Sequence, residues 1–230
     1  MTSPALGTVI VTGGASGLGA AVVDAVDKAG GTPVVLDRAE PAREVETELV
    51  DLADGRAAEA AVRRVAERHS GLSGVVTAAG TDVCGPLVGV PAEDWERVIA
   101  VNLVGTAAVV RAALPALESS SGRVVTVAST LGLRVFGDAT AYCASKFGVV
   151  GFTRALTAEL AGRVGVTLLI PGGMSTHFFD DRPDQYKPGP DAQLNDPANV
   201  AEAVLFALRQ PAGCELRELV ITAATEPSWP

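Results

Sequence analysis

Apolar positions along the chain fall into short continuous runs that alternate with longer, periodic segments. The short runs predict seven strands, of which the third is the weakest because glutamates alternate along it. The predicted bounds are residues 8–12, 32–36, 46–50, 74–77, 123–128, 166–170 and 216–221.

Between the strands, apolar residues recur at the spacing of amphipathic helices. The first of these helices begins its apolar face at Leu18 and ends at Gly30. Further helices are predicted after Asp54, from near Pro91, over residues 102–117 and 141–160, and from the Asp196-Pro197 pair through Leu208.

Strands that alternate with helices and are apolar on both faces predict a parallel sheet covered on both sides. We therefore expect a doubly wound Rossmann α/β fold with a central, mostly seven-stranded parallel sheet, forming a single domain over residues 1–230. Only about nine residues separate Asp37 from Glu46, so the crossover helix there is very short or missing. The polar, proline-containing loop around residues 175–195 is typical of a functional lid.

Composition narrows the functional classes. The chain has 230 residues, of which 48% are hydrophobic, and a net charge of -9, which gives it no electrostatic reason to bind nucleic acid. With three cysteines, none at Cys-x-x-Cys spacing, and two histidines, we expect no disulfide framework and no metal site.

The longest apolar tract, residues 98–117, is interrupted by Asn102, Arg111 and Pro115, so we expect no membrane span. No signal peptide is visible, which favours a cytoplasmic location.

A glycine-rich loop, residues 12–19, joins the first predicted strand to the first helix. Its glycines permit a close approach of the backbone to a pyrophosphate, which the positive end of the helix attracts. The loop would also fit an ordinary turn, but Asp37 at the end of the second strand is placed to bind an adenine ribose, which favours a nucleotide site. Asp51 follows the third strand, where it either reaches the adenine or caps the next helix.

Three residues suggest acid/base chemistry. Tyr142 and Lys146 lie four apart on a predicted helix and so share one face, and Ser129 ends a buried strand. An adjacent ammonium favours the phenolate of a tyrosine, which can then exchange a proton with an alcohol or an alkoxide. Ser129 can hold the substrate oxygen beside Tyr142. Taken singly, each residue could equally serve packing, a solvated charge or a turn.

Together these features closely resemble those of the short-chain dehydrogenase/reductase family over nearly the whole chain. Thr12-Gly13-x-x-x-Gly17-x-Gly19 matches the family's cofactor loop, and Asp51 matches its adenine-contacting acid. The segment that closes over the nicotinamide is matched by Pro171-Gly172 and Thr176. The catalytic tetrad is matched by Asn102, Ser129, Tyr142 and Lys146.

The resemblance implies further roles for two of these residues. Lys146 would also hold the nicotinamide ribose, and the main-chain carbonyl of Asn102 would hold a water in a proton relay. From the residues alone, Asn102 could as easily cap a helix. One departure is Ala78-Ala79-Gly80, where the family usually has Asn-Ala-Gly; it puts local stability in doubt more than chemistry. The predicted cofactor-binding residues are Gly13, Ser16, Gly17, Leu18, Gly19, Asp37, Asp51, Leu52, Ala79, Gly80, Tyr142, Lys146, Pro171, Gly172 and Thr176.

We therefore predict an NAD(H)-dependent oxidoreductase that interconverts a secondary alcohol and a ketone, with a 3-oxoacyl thioester reductase as one specific option. The alternative is a noncatalytic, dinucleotide-sensing regulator of the same fold. NAD is favoured over NADP because Asp37 would repel a 2′-phosphate and because Ser16 stands where NADP-preferring members often have a basic residue. The adjacent Arg38 opposes this, since a guanidinium can clamp a phosphate.

The helices over residues 102–117 and 141–160 carry apolar side chains on more than one face, including Val109, Val110, Val150 and Phe152. This pattern predicts a homo-oligomer, a tetramer or a dimer, because one sheet face should not need them all. The family resemblance adds that such helices commonly pair across a dimer axis. Burial within one chain is the alternative.

Overall fold

The computed structural model describes residues 6–229 and contains a seven-stranded sheet in the order β3-β2-β1-β4-β5-β6-β7. Every neighbouring pair of strands is parallel. The strands are β1 (Thr8–Thr12), β2 (Thr32–Asp37), β3 (Thr47–Leu49), β4 (Gly74–Thr77), β5 (Arg123–Val127), β6 (Gly165–Pro171) and β7 (Glu218–Ile221).

Helices connect these strands on both faces of the sheet. They are α1 (Gly17–Lys28), α2 (Gly55–Arg68), α3 (Ala92–Ile99), α4 (Thr106–Ser120), α5 (Thr140–Leu160) and α6 (Pro197–Leu208). The predicted doubly wound α/β fold is confirmed. A single domain for the whole chain stays a prediction.

The two faces of the sheet support two separate core layers, as strands that are apolar on both sides require. In β1, Ile10 packs into the layer under α2 and α4, whereas Val9 and Val11 pack into the layer under α1 and α6. This alternation follows the period of two along a strand. The chain leaves β1 toward β2 and β3, then returns to place β4 on the other side of β1, so the connections diverge at the carboxyl ends of β1 and β4. In open α/β sheets, ligands bind at this switch point.

The prediction of a helix that begins at Asn102 is wrong. The helical backbone is continuous from Ala92 to Ser120, and residues 100–105 form a π-helical stretch between α3 and α4. Asn102 is therefore an interior residue and not a cap, because the wider turn absorbs an extra residue without ending the helix. The stretch is long and apolar enough to cross a membrane, but Val109, Val110 and Leu117 pack in the core. The expectation of no membrane span stays a prediction.

Two connections lie near the predicted cofactor site. No helix separates β2 from β3, as predicted, and Arg43 holds that connection to α1 through Asp24 and Asp27, at 2.8 and 2.7 Å. The predicted lid is closed at its base by a bridge between Met174 and Asn195. Within the lid lie two short 3₁₀ turns, His177–Phe179 and Asp184–Tyr186.

Candidate active site

The glycine-rich loop follows β1 at the switch point and packs tightly against the end of β4. Gly13 has a φ of 69°, and a side chain there would lie 2.7 Å from the Cα of Ala79. A side chain on Gly19 would overlap the carbonyl of Gly13. The hydroxyl of Thr12 accepts a hydrogen bond from the Ala79 amide at 3.1 Å. The glycines of the loop therefore leave its backbone without covering side chains, as a close approach by a pyrophosphate requires.

The same loop faces the segment that follows β6. Gly17 has a φ of 53°, and a Cβ there would lie 3.6 Å from the side chain of Thr176. Ser16 precedes α1, and Leu18 is buried beneath the loop. The structure thus brings the loop and Thr176 next to each other, at the positive end of α1.

Asp37, at the end of β2, points its carboxylate toward this loop. One oxygen accepts from the Ala15 amide at 3.0 Å, and the other accepts from the Ala39 amide at 3.1 Å. Arg38 is exposed at the same end of the crevice, where its charge contributes to lowering the pKa of Asp51. A carboxylate and a guanidinium therefore stand together where a bound dinucleotide would place its adenine ribose.

Asp51 does not cap the following helix, so that alternative is wrong. Asp54 is the cap of α2 and accepts from the amides of Arg56 and Ala57. Asp51 accepts from the Ala53 amide at 2.9 Å and pairs with Arg97 at 2.8 Å. The Ala53 amide, followed by Arg97, lowers the pKa of Asp51 and keeps it ionised.

Leu52, which Asp51 precedes, is buried against the π-helical stretch. A side chain on Gly105 would lie 2.7 Å from the Leu52 carbonyl. The backbone that follows Asp51 is therefore fixed by close packing against Gly105.

Tyr142 and Lys146 lie one turn apart on α5, as predicted. The Lys146 Nζ atom is 5.6 Å from the centroid of the Tyr142 ring and donates to the Val127 carbonyl at 3.0 Å. The Lys146 side chain is buried, and burial lowers its pKa to about 8, against the opposing charge of Asp82. A buried lysine with this pKa can both carry a charge and exchange a proton near neutral pH.

Ser129 follows β5 and meets Tyr142 from the sheet side. Its hydroxyl accepts from the Leu131 amide at 3.1 Å, and the serine is buried. Burial raises the pKa of Tyr142, whereas hydrogen bonding to Ser129 lowers it. Burial therefore favours the protonated phenol, which is the form that donates a proton.

Asn102 ties the π-helical stretch to the loop after β4. Its side-chain oxygen accepts from the Thr81 amide at 2.8 Å, and its amide group donates to the Thr81 carbonyl at 2.9 Å and to Ser145 at 3.0 Å. A Cβ on Gly80 would lie 3.6 Å from the Asn102 oxygen and 3.7 Å from the Lys146 Nζ atom. The side chain of Asn102 thus links the loop after β4 to α5.

Sequence reasoning missed a second group of residues around Tyr142. Arg182, in the lid, donates to Asp82 at 2.5 Å, and Asp82 lies just beyond Gly80. The ring of Phe178, also in the lid, is 5.7 Å from the ring of Tyr142. The polar lid residues were visible in the sequence, but their partner lies 100 positions away and has no motif of its own.

The carboxyl-terminal segment was missed as well. Glu226 accepts from the Gly173 amide at 2.9 Å, and a side chain on Gly172 would overlap its carboxylate. The buried Ser228 donates to the hydroxyl of Thr130 at 2.7 Å. Pro171 ends β6, and the Gly172 amide donates to Ile221 at 3.0 Å. The tail after β7 therefore supports both the turn after β6 and the residue next to Ser129.

Comparison with known proteins identifies the family. A family profile described as short chain dehydrogenase matches residues 7–187. The chain belongs to the short-chain dehydrogenase family. An oxidoreductase of Staphylococcus aureus (strain MW2) is 31% identical to this short-chain dehydrogenase over 224 residues, which covers 92% of this chain and 95% of the relative.

Solved structures share its fold. The alcohol dehydrogenase of the archaeon Thermococcus sibiricus, complexed with 5-hydroxy-NADP, has a TM-score of 0.84 at 23% identity, covering 94% of this chain and 95% of that one. A metagenomic short-chain oxidoreductase complexed with NADP has a TM-score of 0.80 at 24% identity, covering 94% and 96%. The family membership establishes an oxidoreductase and sets the noncatalytic alternative aside. Among residues 6–229, no cluster of His, Cys, Asp or Glu could hold a metal ion, and the absence of a metal site stays a prediction.

Proposed function

We propose that this short-chain dehydrogenase is an NAD(H)-dependent oxidoreductase that interconverts a secondary alcohol and a ketone. The observation that carries the proposal is the convergence of Ser129, Tyr142 and Lys146 at the carboxyl ends of β4 and β5, beside the glycine-rich loop. Sites in this fold collect at that edge of the sheet.

The residues around the crevice fit a nicotinamide dinucleotide. Gly13 and Gly17 keep side chains away from the pyrophosphate position, and Asp37 lies where the adenine ribose would be held. Lys146 would hold the nicotinamide ribose, and Thr176, beside Gly17, would close over the nicotinamide. When bound, the nicotinamide supplies or accepts the hydride.

The protein's own part of the reaction is proton transfer and positioning. In reduction, Tyr142 donates its phenolic proton to the substrate oxygen while the Ser129 hydroxyl holds that oxygen by a hydrogen bond. The Lys146 ammonium then stabilises the phenolate that remains, since an adjacent cation favours the charged form. The main-chain carbonyl of Asn102 would hold the water that passes a proton to Lys146. Oxidation runs the same transfers in reverse.

We expect opposite pH dependences for the two directions. Oxidation needs Tyr142 as phenolate and so accelerates as pH rises, whereas reduction needs the phenol and slows. Burial lowers the pKa of Lys146 to about 8, so the oxidation profile should level off above that pH as the stabilising ammonium is lost. The measurement is kcat/KM for one alcohol and its ketone across the pH range. A flat oxidation profile, with chemistry shown to be rate-limiting, would contradict a titrating phenol.

Asp37→Ser should shift cofactor preference from NAD toward NADP. The substitution removes the charge that repels a 2′-phosphate and leaves Arg38 free to bind it. We expect the ratio of kcat/KM for NADH over NADPH to fall by roughly 10-fold or more, the effect of a hydrogen-bonded charge pair. Asp94→Ser, at an exposed position in the first turn of α3, is the control. A clear NADPH preference in the unmodified protein would overturn the NAD assignment.

The proposed activity is tested by a screen of ketones and secondary alcohols with both NAD(H) and NADP(H), followed by the nicotinamide absorbance. A 3-oxoacyl thioester belongs in the screen as the specific option named above. We expect turnover of at least one ketone and its alcohol, with one cofactor molecule converted for each substrate molecule. Cofactor binding with no turnover of any carbonyl compound or alcohol would count against the proposal.

We also propose a cytoplasmic homo-oligomer, a tetramer or a dimer. Val109, Val110 and Val150 are buried within the chain and so lend the proposal no support. The support comes from two other apolar side chains, Val104 before α4 and Phe147 on α5, which are 51% and 44% exposed. Paired helices would cover both.

A further inference from the structure

The lid is fastened over the catalytic tyrosine by a buried ion pair. The side chain of Asp82 is 3% exposed and that of Arg182 is 19% exposed, with 2.5 Å between the Asp82 Oδ2 and Arg182 Nη2 atoms. The guanidinium lies 5.3 and 4.7 Å from the rings of Phe178 and Phe179. Phe178 also contacts Tyr142, so its ring links the ion pair to the reacting group.

Each member of the pair has an unused polar atom. The Asp82 Oδ1 and Arg182 Nε atoms are sealed from solvent and have no hydrogen-bond partner. The thiol of Cys84 donates to the other carboxylate oxygen, Oδ2, at 3.3 Å, and the Arg182 Nη1 atom donates to the Tyr186 carbonyl at 3.4 Å. Buried polar atoms without partners are rare and costly, so a free acceptor and a free donor under one lid call for an explanation.

We propose that Asp82 and Arg182 form a substrate subsite that binds a neutral hydroxyl group, so that the natural substrate is a hydroxylated ketone or a polyol. The inference rests on the proposed function and adds the substrate class to it. A hydroxyl group offers both the kind of donor that Asp82 Oδ1 lacks and the kind of acceptor that Arg182 Nε lacks. The Asp82 Oδ1 atom is buried beneath the lid, and the Arg182 Nε atom is a buried atom of the lid itself, so substrate would reach both only with the lid displaced.

Charge decides against other substrate groups. A carboxylate on the substrate would compete with Asp82 for Arg182 and bring two negative charges together. An ammonium on the substrate would compete with Arg182 for Asp82 and bring two positive charges together. An alkyl group would leave both unused atoms without partners, and a site built to bind a hydroxyl rejects the analogue that lacks it. The net charge of the pair is zero, and a neutral hydroxyl preserves it.

The experiment compares ketones that differ only in this group. Hydroxyacetone is matched with butan-2-one, and 4-hydroxybutan-2-one with pentan-2-one, while acetoacetate and acetonyltrimethylammonium supply an anion and a cation. We expect kcat/KM to be at least roughly 10-fold higher for the better hydroxy ketone than for its alkyl match. An equal or higher value for the alkyl, anionic or cationic ketone would overturn the subsite.

Two double variants assign the preference to the pair. Asp82→Leu with Arg182→Met removes both charges together, which a fold usually tolerates because neither is left unpaired. We expect the ratio of kcat/KM for the hydroxy ketone over that for its alkyl match to fall to about one. The matched control, Asp184→Leu with Lys187→Met, removes an exposed ion pair of the same lid and should keep the preference. A preference that survives removal of Asp82 and Arg182 would contradict the proposal.

Two further experiments apply if the charge-free variant does not fold or if no ketone is reduced. If the charge-free variant does not fold, Asp82→Asn with Arg182→Gln retains hydrogen-bonding groups and should lose part of the preference. If no ketone is reduced, the proposed function fails, and the subsite is then tested by protection: hydroxyacetone should raise the Tm of the NADH-loaded protein and butan-2-one should not. Equal protection by both would overturn the subsite independently of turnover.

Discussion

Tyr142→Phe is expected to abolish turnover while leaving cofactor binding intact. The substitution removes the only proton that the phenol can transfer and changes the volume of the buried ring very little. General acid–base catalysis contributes about 10²- to 10⁴-fold, so kcat should fall by that range or more. NADH binding, followed by the fluorescence of the bound nicotinamide, should stay within a few-fold of the unmodified protein.

The chain offers a matched control for this substitution. Its second tyrosine, Tyr186, lies in the lid and donates to Asp138 at 2.8 Å, away from Ser129 and Lys146. Tyr186→Phe should therefore retain most of kcat. Near-normal kcat for Tyr142→Phe on every substrate would show that another group supplies the proton.

Lys146→Met is expected to damage both catalysis and cofactor affinity, because its ammonium serves two proposed roles. Loss of the ammonium removes the cation that stabilises the phenolate of Tyr142, so kcat for alcohol oxidation should fall and its rising pH limb should move to higher pH. Loss of the donor to the nicotinamide ribose should weaken NADH binding by roughly 10-fold.

The control for this change is Lys28→Met, which removes an exposed lysine at the end of α1. It should leave kcat and NADH affinity near their unmodified values. Unchanged NADH affinity in Lys146→Met would remove the ribose-holding role, and an unmoved pH profile would remove the role in stabilising the phenolate.

Periodicity alone predicted most of the fold because the strands are buried on both faces and the helices on one. The bounds of β1 and β4 match the predicted residues, and the missing helix between β2 and β3 follows from chain length. The helix break at Asn102 was wrong because a π-helical stretch has the same apolar spacing as the α-helices beside it. Nothing in the local pattern distinguishes a helix that widens from one that restarts.

Part of the candidate site could likewise be predicted from the sequence, and part of it could not. Tyr142, Lys146 and Ser129 could be placed from sequence because helical spacing and strand ends determine which side chains meet at the sheet edge. The Asp82–Arg182 pair could not, since it joins a loop to a lid with no periodic structure between them. The contact of Glu226 with Gly173 also depends on how the chain folds back after its last strand, which no local spacing encodes.

The most direct test of the central claim follows a hydride from cofactor to substrate. NADH carrying deuterium at each C4 position in turn is supplied with a ketone that the screen identifies, and the product alcohol is examined by mass spectrometry and NMR. The account predicts that one of the two labelled cofactors places deuterium on the carbinol carbon in the unmodified protein, and that Tyr142→Phe forms almost no product. An alcohol whose carbinol carbon lacks deuterium with both labelled cofactors would contradict it.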